Sequence, residues 1–281
     1  MRTEPDLDRA VLAGLLADRY ELDIAGLTFV PFGTDSWSYV ATGRTGLRSF
    51  VKISRPASAG VRPGSELPLM AALADGLVPV PRPVADRDGD YTNAVDGFDV
   101  QVLEYLAGDS LEDEAAWPDE LYARVAETVA ALHASTGAVG HLVERRERFE
   151  LPFVAFLAAS LASLAGPGSP SDTDAVAAVR AALAPREPQI RAAIARLEAL
   201  RDELPARHRV DVLCHTDIWG SNLLRSGDGT LHLLDWNGVL IGPPEHDLFM
   251  FAGTSFFPAQ RFGWFLDHYE AALRTLRGQP V

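Results

Sequence analysis

The spacing of hydrophobic residues predicts one helix and several strands in the first part of the chain, and mainly helices in the rest. Leu7, Val11 and Leu15 recur at helical spacing just after Pro5, which predicts an amphipathic helix over residues 6–20. Short apolar segments bounded by turn residues then predict strands at residues 27–32, 38–42 and 49–53. The first part of the chain is therefore expected to contain a small sheet with one helix packed on it.

From Asp119 onward the hydrophobic pattern is helical. Four apolar residues share one face of a helix that is predicted to end near His133: Leu121, Val125, Val129 and Leu132. Further helices are predicted at residues 153–165, 174–184, 189–201 and 260–276, with a loop at residues 166–172.

A lobe boundary is predicted after the apolar strand at residues 97–104. The strand leads into Gly108 and then into a run of acidic residues: Asp109, Glu112, Asp113, Glu114, Asp119 and Glu120. A chain of 281 residues exceeds the usual size of a single hydrophobic core. We therefore expect two lobes, residues 1–104 and residues 105–281.

The formal net charge of −14 argues against a nucleic-acid partner, because proteins that bind the phosphate backbone need a basic surface. A cleft lined by acidic groups instead attracts cationic ligands, so a small cationic substrate is expected. Two alternatives without a ligand stay open. Excess acidic residues also keep a protein soluble, and exposed charge runs often have no specific role.

The single cysteine, Cys214, excludes an internal disulfide and fits a reducing cytoplasm. We expect it to be a buried filler residue and not a nucleophile. The N-terminal residues lack the apolar core of a signal peptide, and no apolar run is long enough to span a bilayer. A cytoplasmic protein without a membrane partner is expected, either as a monomer or as a homodimer.

The segment with the strongest chemical signal is residues 212–247, VLCHTDIWGSNLLRSGDGTLHLLDWNGVLIGPPEHD. Asp217 lies five residues before Asn222, and Asp235 follows thirteen residues later. A transferring phosphoryl group carries negative charge that metal ions neutralise, and the attacking hydroxyl needs a positioned base. Asp217 is suited to be that base, and Asn222 and Asp235 offer the hard oxygen ligands that Mg²⁺ prefers.

The alternative interpretation of this segment is a strand, turn and strand whose Asp and Asn side chains only cap the turn. Asp235 argues against it, because an ionised carboxylate in a short apolar strand is costly without a metal or a strong partner. Two motifs in the correct order are also more specific than one short motif. For His215 alone, a hydrogen-bonded core histidine remains an alternative.

The runs VLCHTDIWGSNLL and LLDWNGVLIGPPEHDL resemble the aminoglycoside phosphotransferase family, which is related to choline kinases and protein kinases. They look most similar to the spectinomycin phosphotransferase branch of that family. The resemblance implies an α+β, two-lobed protein-kinase-like fold with a small antiparallel N-terminal sheet and a larger, mainly helical C-terminal lobe. It also implies that Asp217 is the catalytic base and that His215 and Asp247 support the catalytic loop. The chain departs from protein kinases at Trp219, where many of them have a lysine.

Lys52 is expected to point into a cleft and to meet anions, because a lysine in an apolar strand is rarely buried without a partner. The resemblance gives it the α- and β-phosphates of the nucleotide. Glu66 is the default candidate for its carboxylate partner, and a helix cap is the rival role for Glu66.

Residues 33–37 occupy the position of a nucleotide-covering loop but do not form a GxGxxG motif, since only Gly33 is present. Ser36 and Ser38 are expected to offer hydroxyl and backbone groups to phosphate oxygens, with an ordinary hairpin turn as the alternative. The resemblance also implies that main-chain groups from Glu104 to Leu106 bind the adenine base.

These expectations combine into a function. The chain is predicted to use Mg²⁺ and ATP, with GTP as the alternative donor, to phosphorylate a hydroxyl of an aminoglycoside or aminocyclitol antibiotic. A metabolic kinase for choline, homoserine or a glycated amine is the main alternative, because it would share the same catalytic residues. A non-catalytic nucleotide-binding regulator is the third hypothesis.

Overall fold

The computed structural model describes residues 3–31, 33, 36–56, 64–112, 117–165, 173–207, 210–253 and 259–278. The chain divides into two compact units, residues 1–146 with 211–281 and residues 147–210. The predicted lobe boundary after residue 104 falls within the first unit and stays a prediction. Predictions for some positions lie outside the described residues: Phe32, Thr34, Asp35, Asp113, Glu114 and the loop 166–172.

The N-terminal part of the first unit contains a five-stranded antiparallel sheet with the strand order β1-β2-β3-β5-β4. Its strands are β1 (Ile24–Val30), β2 (Trp37–Gly43), β3 (Arg48–Ser54), β4 (Thr92–Val95) and β5 (Phe98–Glu104). Asp8 is the N-cap of helix α1 (Arg9–Tyr20), and its carboxylate accepts a hydrogen bond from Ala10 N. Leu12 and Leu16 of α1 are buried in one apolar cluster with Val51 and Val100 of the sheet.

Lys52 belongs to a row of polar residues that crosses the sheet. Directly paired positions place Ser38 of β2, Lys52 of β3, Gln101 of β5 and Thr92 of β4 side by side, and paired residues share a face. A Cβ at Gly64 would overlap Thr92 Oγ1, so the segment before α2 (Leu67–Ala74) runs against this polar face. The glycine also has a φ of +85°, which other residues rarely adopt.

The rest of the first unit is built on helices α3 (Asp119–Ala134) and α9 (Phe262–Arg277). The predicted apolar face of α3 is confirmed, because all four of its residues are buried: Leu121, Val125, Val129 and Leu132. Tyr122 of α3 contacts Phe265 of α9 edge to face, with ring centroids 5.3 Å apart. Short α-helices α4 (Thr136–Val139) and α8 (Glu245–Leu248) complete this part.

Two small antiparallel sheets carry the loops that hold the candidate chemistry. One pairs β7 (Val212–Cys214) with β10 (Leu240–Gly242), and the other has the order β6-β8-β9. The strands of the second sheet are β6 (Gly108–Ser110), β8 (Leu223–Ser226) and β9 (Leu231–Leu233). Both sheets lie against the same apolar cluster as α3, which includes Leu213, Leu223 and Leu233.

The second unit, residues 147–210, contains three helices: α5 (Phe153–Ala165), α6 (Asp174–Leu183) and α7 (Glu187–Arg207). The predicted helices at 153–165 and 174–184 are thus confirmed to within a residue, while the third is longer than the predicted segment 189–201. Thr173 is the N-cap of helix α6, and its hydroxyl accepts a hydrogen bond from Val176 N. Among the described residues, no helix is long and apolar enough to cross a membrane.

Candidate active site

The loop between β7 and β8 holds Asp217 and Asn222 against each other. Asn222 Nδ2 donates to the Asp217 carboxylate at 2.8 Å and to the Asp217 main-chain oxygen at 2.9 Å. A single 3-10 turn, Gly220–Asn222, closes the loop, and Asn222 N donates to Trp219 O at 2.9 Å. The amide group of Asn222 therefore fixes the carboxylate of Asp217 and presents its own Oδ1 as a remaining acceptor.

Asp247 holds the backbone that leads into Asp217. Its carboxylate is fully buried and accepts hydrogen bonds from His215 N at 3.0 Å and from Thr216 N at 2.6 Å. Thr216 has a φ of +73°, a conformation that costs energy in a β-branched residue and persists only when its surroundings enforce it. Asp247 is thus hydrogen-bonded to the backbone just before Asp217, and its role in catalysis stays a prediction.

Two further residues support Asp247 and were missed in the sequence. His133 Nε2 lies 3.0 Å from Asp247 Oδ2, and His133 Nδ1 lies 2.8 Å from the hydroxyl of Tyr269. Burial raises the pKa of Tyr269 to about 12, so its hydroxyl stays protonated within this chain of hydrogen-bonded groups. The available signal was a polar residue at the end of the apolar face of α3, which the hydrophobic pattern alone does not explain.

The ring of His215 connects the catalytic loop to the segment before Asp235. Its Nε2 lies 2.8 Å from Leu234 O, and Asp217 N donates to its Nδ1 at 3.3 Å. This pair of contacts requires a neutral imidazole that carries its proton on Nε2. Burial lowers the pKa of His215, which favours that neutral form, and the hydrogen-bonded core role left open for this residue agrees with its position.

Asp235 begins a tight turn that approaches the catalytic loop closely. Asp235 adopts a left-handed backbone with a φ of 58°, and the 3-10 turn Trp236–Gly238 follows it. A Cβ on Gly238 would overlap Thr216 Oγ1 and lie 3.2 Å from His215 O. Glycine is therefore required at position 238 by close approach of the two loops.

The side chain of Lys52 on β3 bonds to this turn. Its Nζ lies 3.0 Å from Asp235 Oδ1 and 3.2 Å from Asn237 Oδ1, although these residues are more than 180 positions apart in the sequence. Lys52 is the single lysine of the chain. The structure thus joins Lys52 to Asp235, and it adds Asn237, which the sequence interpretation did not include.

Glu66 does not pair with Lys52 as expected. Within the described part of the chain, no carboxylate oxygen of Glu66 lies within 4 Å of Lys52 Nζ, and the ion pair goes to Asp235. Burial raises the pKa of Glu66, because a charged carboxylate is costly there, whereas Asp235 is half exposed. Glu66 stands at the N-cap of α2, yet its side chain makes no capping hydrogen bond.

The other predicted nucleotide contacts lie around the same sheet. Ser38 is buried directly beside Lys52, and Ser36 is partly buried just before β2. Glu104 ends β5, its N donates to Arg82 O at 2.8 Å, and Leu106 follows in a segment without regular structure. The structure gives these residues positions, and their roles with a nucleotide stay predictions.

Comparison with known proteins decides the family. A model described as the phosphotransferase enzyme family matches residues 27–279. The chain belongs to that phosphotransferase family. No curated protein matches the sequence of this phosphotransferase.

Three solved structures resemble the phosphotransferase over nearly its whole length. A spectinomycin phosphotransferase in complex with ADP and spectinomycin is 18% identical, with a TM-score of 0.76 over 97% of this chain and 85% of that chain. An amicoumacin kinase bound to AMP-PNP and Ca²⁺ is 16% identical, with a TM-score of 0.67 over 96% and 78% of the chains. A macrolide 2′-phosphotransferase from Brachybacterium faecium is 23% identical, with a TM-score of 0.57 over 98% and 84%. The predicted α+β, protein-kinase-like fold is confirmed.

The donor atoms of the phosphotransferase site fit Mg²⁺. Asp235 offers a half-exposed carboxylate and Asn222 a neutral amide oxygen, and the main chain links them because Leu234 N donates to Asn222 O at 2.8 Å. One carboxylate and one amide are a usual protein contribution to a magnesium site in which phosphate oxygens and waters supply the other ligands. A bound Mg²⁺ would neutralise phosphate charge there, and Asp217 and Lys52 are the chain's own groups beside it.

Cys214 of the phosphotransferase is a buried residue, as expected. Its Sγ lies 3.3 Å from Pro243 O and 3.6 Å from Gly242 O, where a thiol donates weakly. Burial strongly raises the pKa of this thiol, so it stays protonated and unreactive. Cys214 lies next to Asp247 and His133. The hydrogen bonds of these buried polar groups are formed within the fold.

Proposed function

We propose that this phosphotransferase transfers the γ-phosphate of ATP, with Mg²⁺, to a hydroxyl of an aminoglycoside or aminocyclitol antibiotic. In this reaction the acceptor oxygen forms a bond to the γ-phosphorus, and the bond from that phosphorus to the bridging oxygen breaks. The hydroxyl proton passes to Asp217, and ADP leaves with the released electron pair. GTP is the alternative donor.

The main support for the proposal is that the side chain of Lys52 contacts the side chains of Asp235 and Asn237. A cation on β3 and a carboxylate after β9 lie 3.0 Å apart, in the same unit that holds the Asp217–Asn222 pair at 2.8 Å. A nucleotide tail needs a cation for its phosphates and oxygen ligands for its metal, and both groups are present here. Asp217 is supported from behind by Asp247, so its position is set before substrate binds.

A cationic antibiotic is favoured as acceptor by two observations. The structurally similar spectinomycin phosphotransferase binds an aminocyclitol drug together with ADP. In this chain, Asp109 and Glu112 are exposed just after the β5 strand, within a protein of net charge −14. Exposed carboxylates near a cleft raise the local concentration of an amine-bearing ligand.

We further propose a cytoplasmic location, because ATP is available there and because the single, buried Cys214 needs no oxidising compartment. We expect a monomer or a homodimer, without nucleic-acid or membrane partners. Antibiotic resistance is the expected phenotype.

The direct test incubates the purified protein with ATP and Mg²⁺ and one acceptor at a time. The panel contains spectinomycin, hygromycin and kanamycin-type drugs, together with choline, homoserine and a glycated amine. Mass spectrometry scores a phosphate adduct, and the Asp217→Ala variant is the matched control. An adduct on an antibiotic that the variant does not form supports the proposal.

Phosphorylation of choline, homoserine or the glycated amine alone would instead support a metabolic kinase. ATP binding without consumption across the whole panel would support a regulator. Expression in a susceptible bacterium then measures the tolerated drug concentration, which should rise for the wild-type chain and not for Asp217→Ala.

A further inference from the structure

The catalytic loop lacks a cation of its own for the transferring phosphoryl group. Trp219 stands two residues after Asp217, and it packs partly buried against the main apolar cluster of the first unit. The negative charge that spreads over the phosphoryl oxygens still needs cationic groups besides the metal. Lys52 is one such group, and it is the single lysine of the chain.

A second cation, Arg145, is bonded to the same turn as Lys52. Its Nη1 donates to Asn237 O at 3.3 Å, while the Asn237 side-chain oxygen lies 3.2 Å from Lys52 Nζ. Asn237 therefore connects two cations, one through its side chain and one through its main chain. Among the described residues, no other cationic side chain bonds to the turn 235–238.

The position of Arg145 is set by its backbone. Ile241 N donates to Arg145 O at 2.9 Å, and the next residue, Arg146, forms a bridge with Ile241 of β10. The guanidinium is exposed, and within the described residues no carboxylate lies within 4 Å of it. Only one of its five N–H donors is used by Asn237, so the planar group can still donate to phosphate oxygens.

We propose that Arg145 is a further catalytic residue, which donates hydrogen bonds to the transferring phosphoryl group from the side of the Asp235–Gly238 turn. This inference rests on the proposed phosphoryl transfer. An arginine placed in this way stabilises charge that is greatest in the transition state, so it raises turnover more than it tightens ATP binding. It supplies a cation that residues 215–222 of the loop do not contain.

Arg146 provides a matched control. It is the adjacent arginine, it is exposed like Arg145, and it also docks to β10 through its main chain. In the described part of the chain its guanidinium makes no hydrogen bond to the turn 235–238, unlike that of Arg145. Replacing each arginine by methionine removes the same charge and keeps a similar aliphatic chain, so the two variants differ only in whether the guanidinium at the turn is lost.

The test measures ATP hydrolysis without acceptor and, by calorimetry, the affinity for ADP with aluminium fluoride and for AMP-PNP. Aluminium fluoride with ADP imitates the phosphoryl group in transfer, whereas AMP-PNP imitates the ground state. Arg145→Met should slow hydrolysis by about a hundredfold or more and weaken the aluminium fluoride complex by a similar factor. AMP-PNP affinity should change less than about threefold. Arg146→Met should match the wild type in all three measurements.

Equal aluminium fluoride affinity in Arg145→Met and Arg146→Met would overturn the inference, as would equal losses for both nucleotides. Circular dichroism and thermal unfolding confirm that each variant is folded, and Arg145→Lys, which keeps the charge, should recover part of the loss. If the wild type itself neither binds nor consumes ATP, the proposed function fails. If the wild type is active and Arg145→Met equals it, only the role of Arg145 fails.

Discussion

Replacing Gly238 by alanine tests whether the Asp235–Gly238 turn and the loop that holds Asp217 are in direct contact. The added Cβ would overlap Thr216 Oγ1 and come within 3.2 Å of His215 O. Thr216 cannot move away freely, because its Oγ1 donates to Gly238 O at 3.1 Å and its backbone N donates to Asp247. A methyl group at position 238 must therefore break the Thr216 hydrogen bond or push the two loops apart.

The expected cost follows from those two contacts. Adding a methyl group to a closely packed site costs about 1–3 kcal/mol. The loss of one hydrogen bond adds about 0.5–1.5 kcal/mol. Together they predict a loss of about 1.5–4.5 kcal/mol in the free energy of unfolding. Because Thr216 precedes Asp217, a displacement of about 1 Å should also slow turnover by about a hundredfold.

Urea unfolding followed by tryptophan fluorescence gives the stability, and steady-state ATP consumption gives the turnover. Gly227→Ala is the control, because nothing lies within 4 Å of a Cβ at that position. It should stay within about 0.5 kcal/mol of the wild type. Thr216→Gly removes the overlapped oxygen and tolerates the φ of +73°, so it should cost less in the Gly238→Ala background than in the wild type. A Gly238→Ala protein as stable and active as Gly227→Ala would refute the close contact.

Three further predictions concern the charged groups of the site. Lys52→Met should weaken ATP binding by at least about tenfold, since it removes the cation beside Asp235, and calorimetry measures this change. Asp235→Ala should weaken ATP binding in the presence of Mg²⁺ and have little effect in EDTA, which calorimetry under both conditions distinguishes. Burial lowers the folded-state pKa of His215, so the unfolded chain binds that proton more readily. The contribution of His215 to the free energy of unfolding is fully present above about pH 6.5 and should decrease at lower pH, by up to about 1.4 kcal/mol per pH unit. Urea unfolding of His215→Gln at several pH values should show a smaller decrease.

Much of this site could be predicted from residues that are close in sequence. Asp217 and Asn222 lie within one loop, as their spacing indicated. The prediction that Asp235 lies in a buried apolar strand is wrong, because Asp235 follows β9 and its side chain is half exposed. The face of α3 followed from helical periodicity, and all four predicted residues are buried. These features depend on local spacing, which the sequence displays directly.

The missed contacts join distant elements. Lys52 forms its ion pair with Asp235, which is 183 positions away in the sequence, and not with Glu66 at the N-cap of the next helix. His133 and Tyr269 meet only through the packing of α3 against α9. Asn237 binds Lys52 from a turn that lies 185 positions away in the sequence. Each of these contacts is a property of tertiary structure and not of a motif.

The most direct test of the whole account is the Asp217→Ala variant, measured for ATP binding and for phosphoryl transfer in a single turnover. The account predicts a transfer rate lower by at least about a hundredfold, with ATP affinity within about threefold of the wild type, because a base acts on the acceptor hydroxyl and not on the bound nucleotide. A folded Asp217→Ala protein that transfers phosphate at the wild-type rate would contradict it.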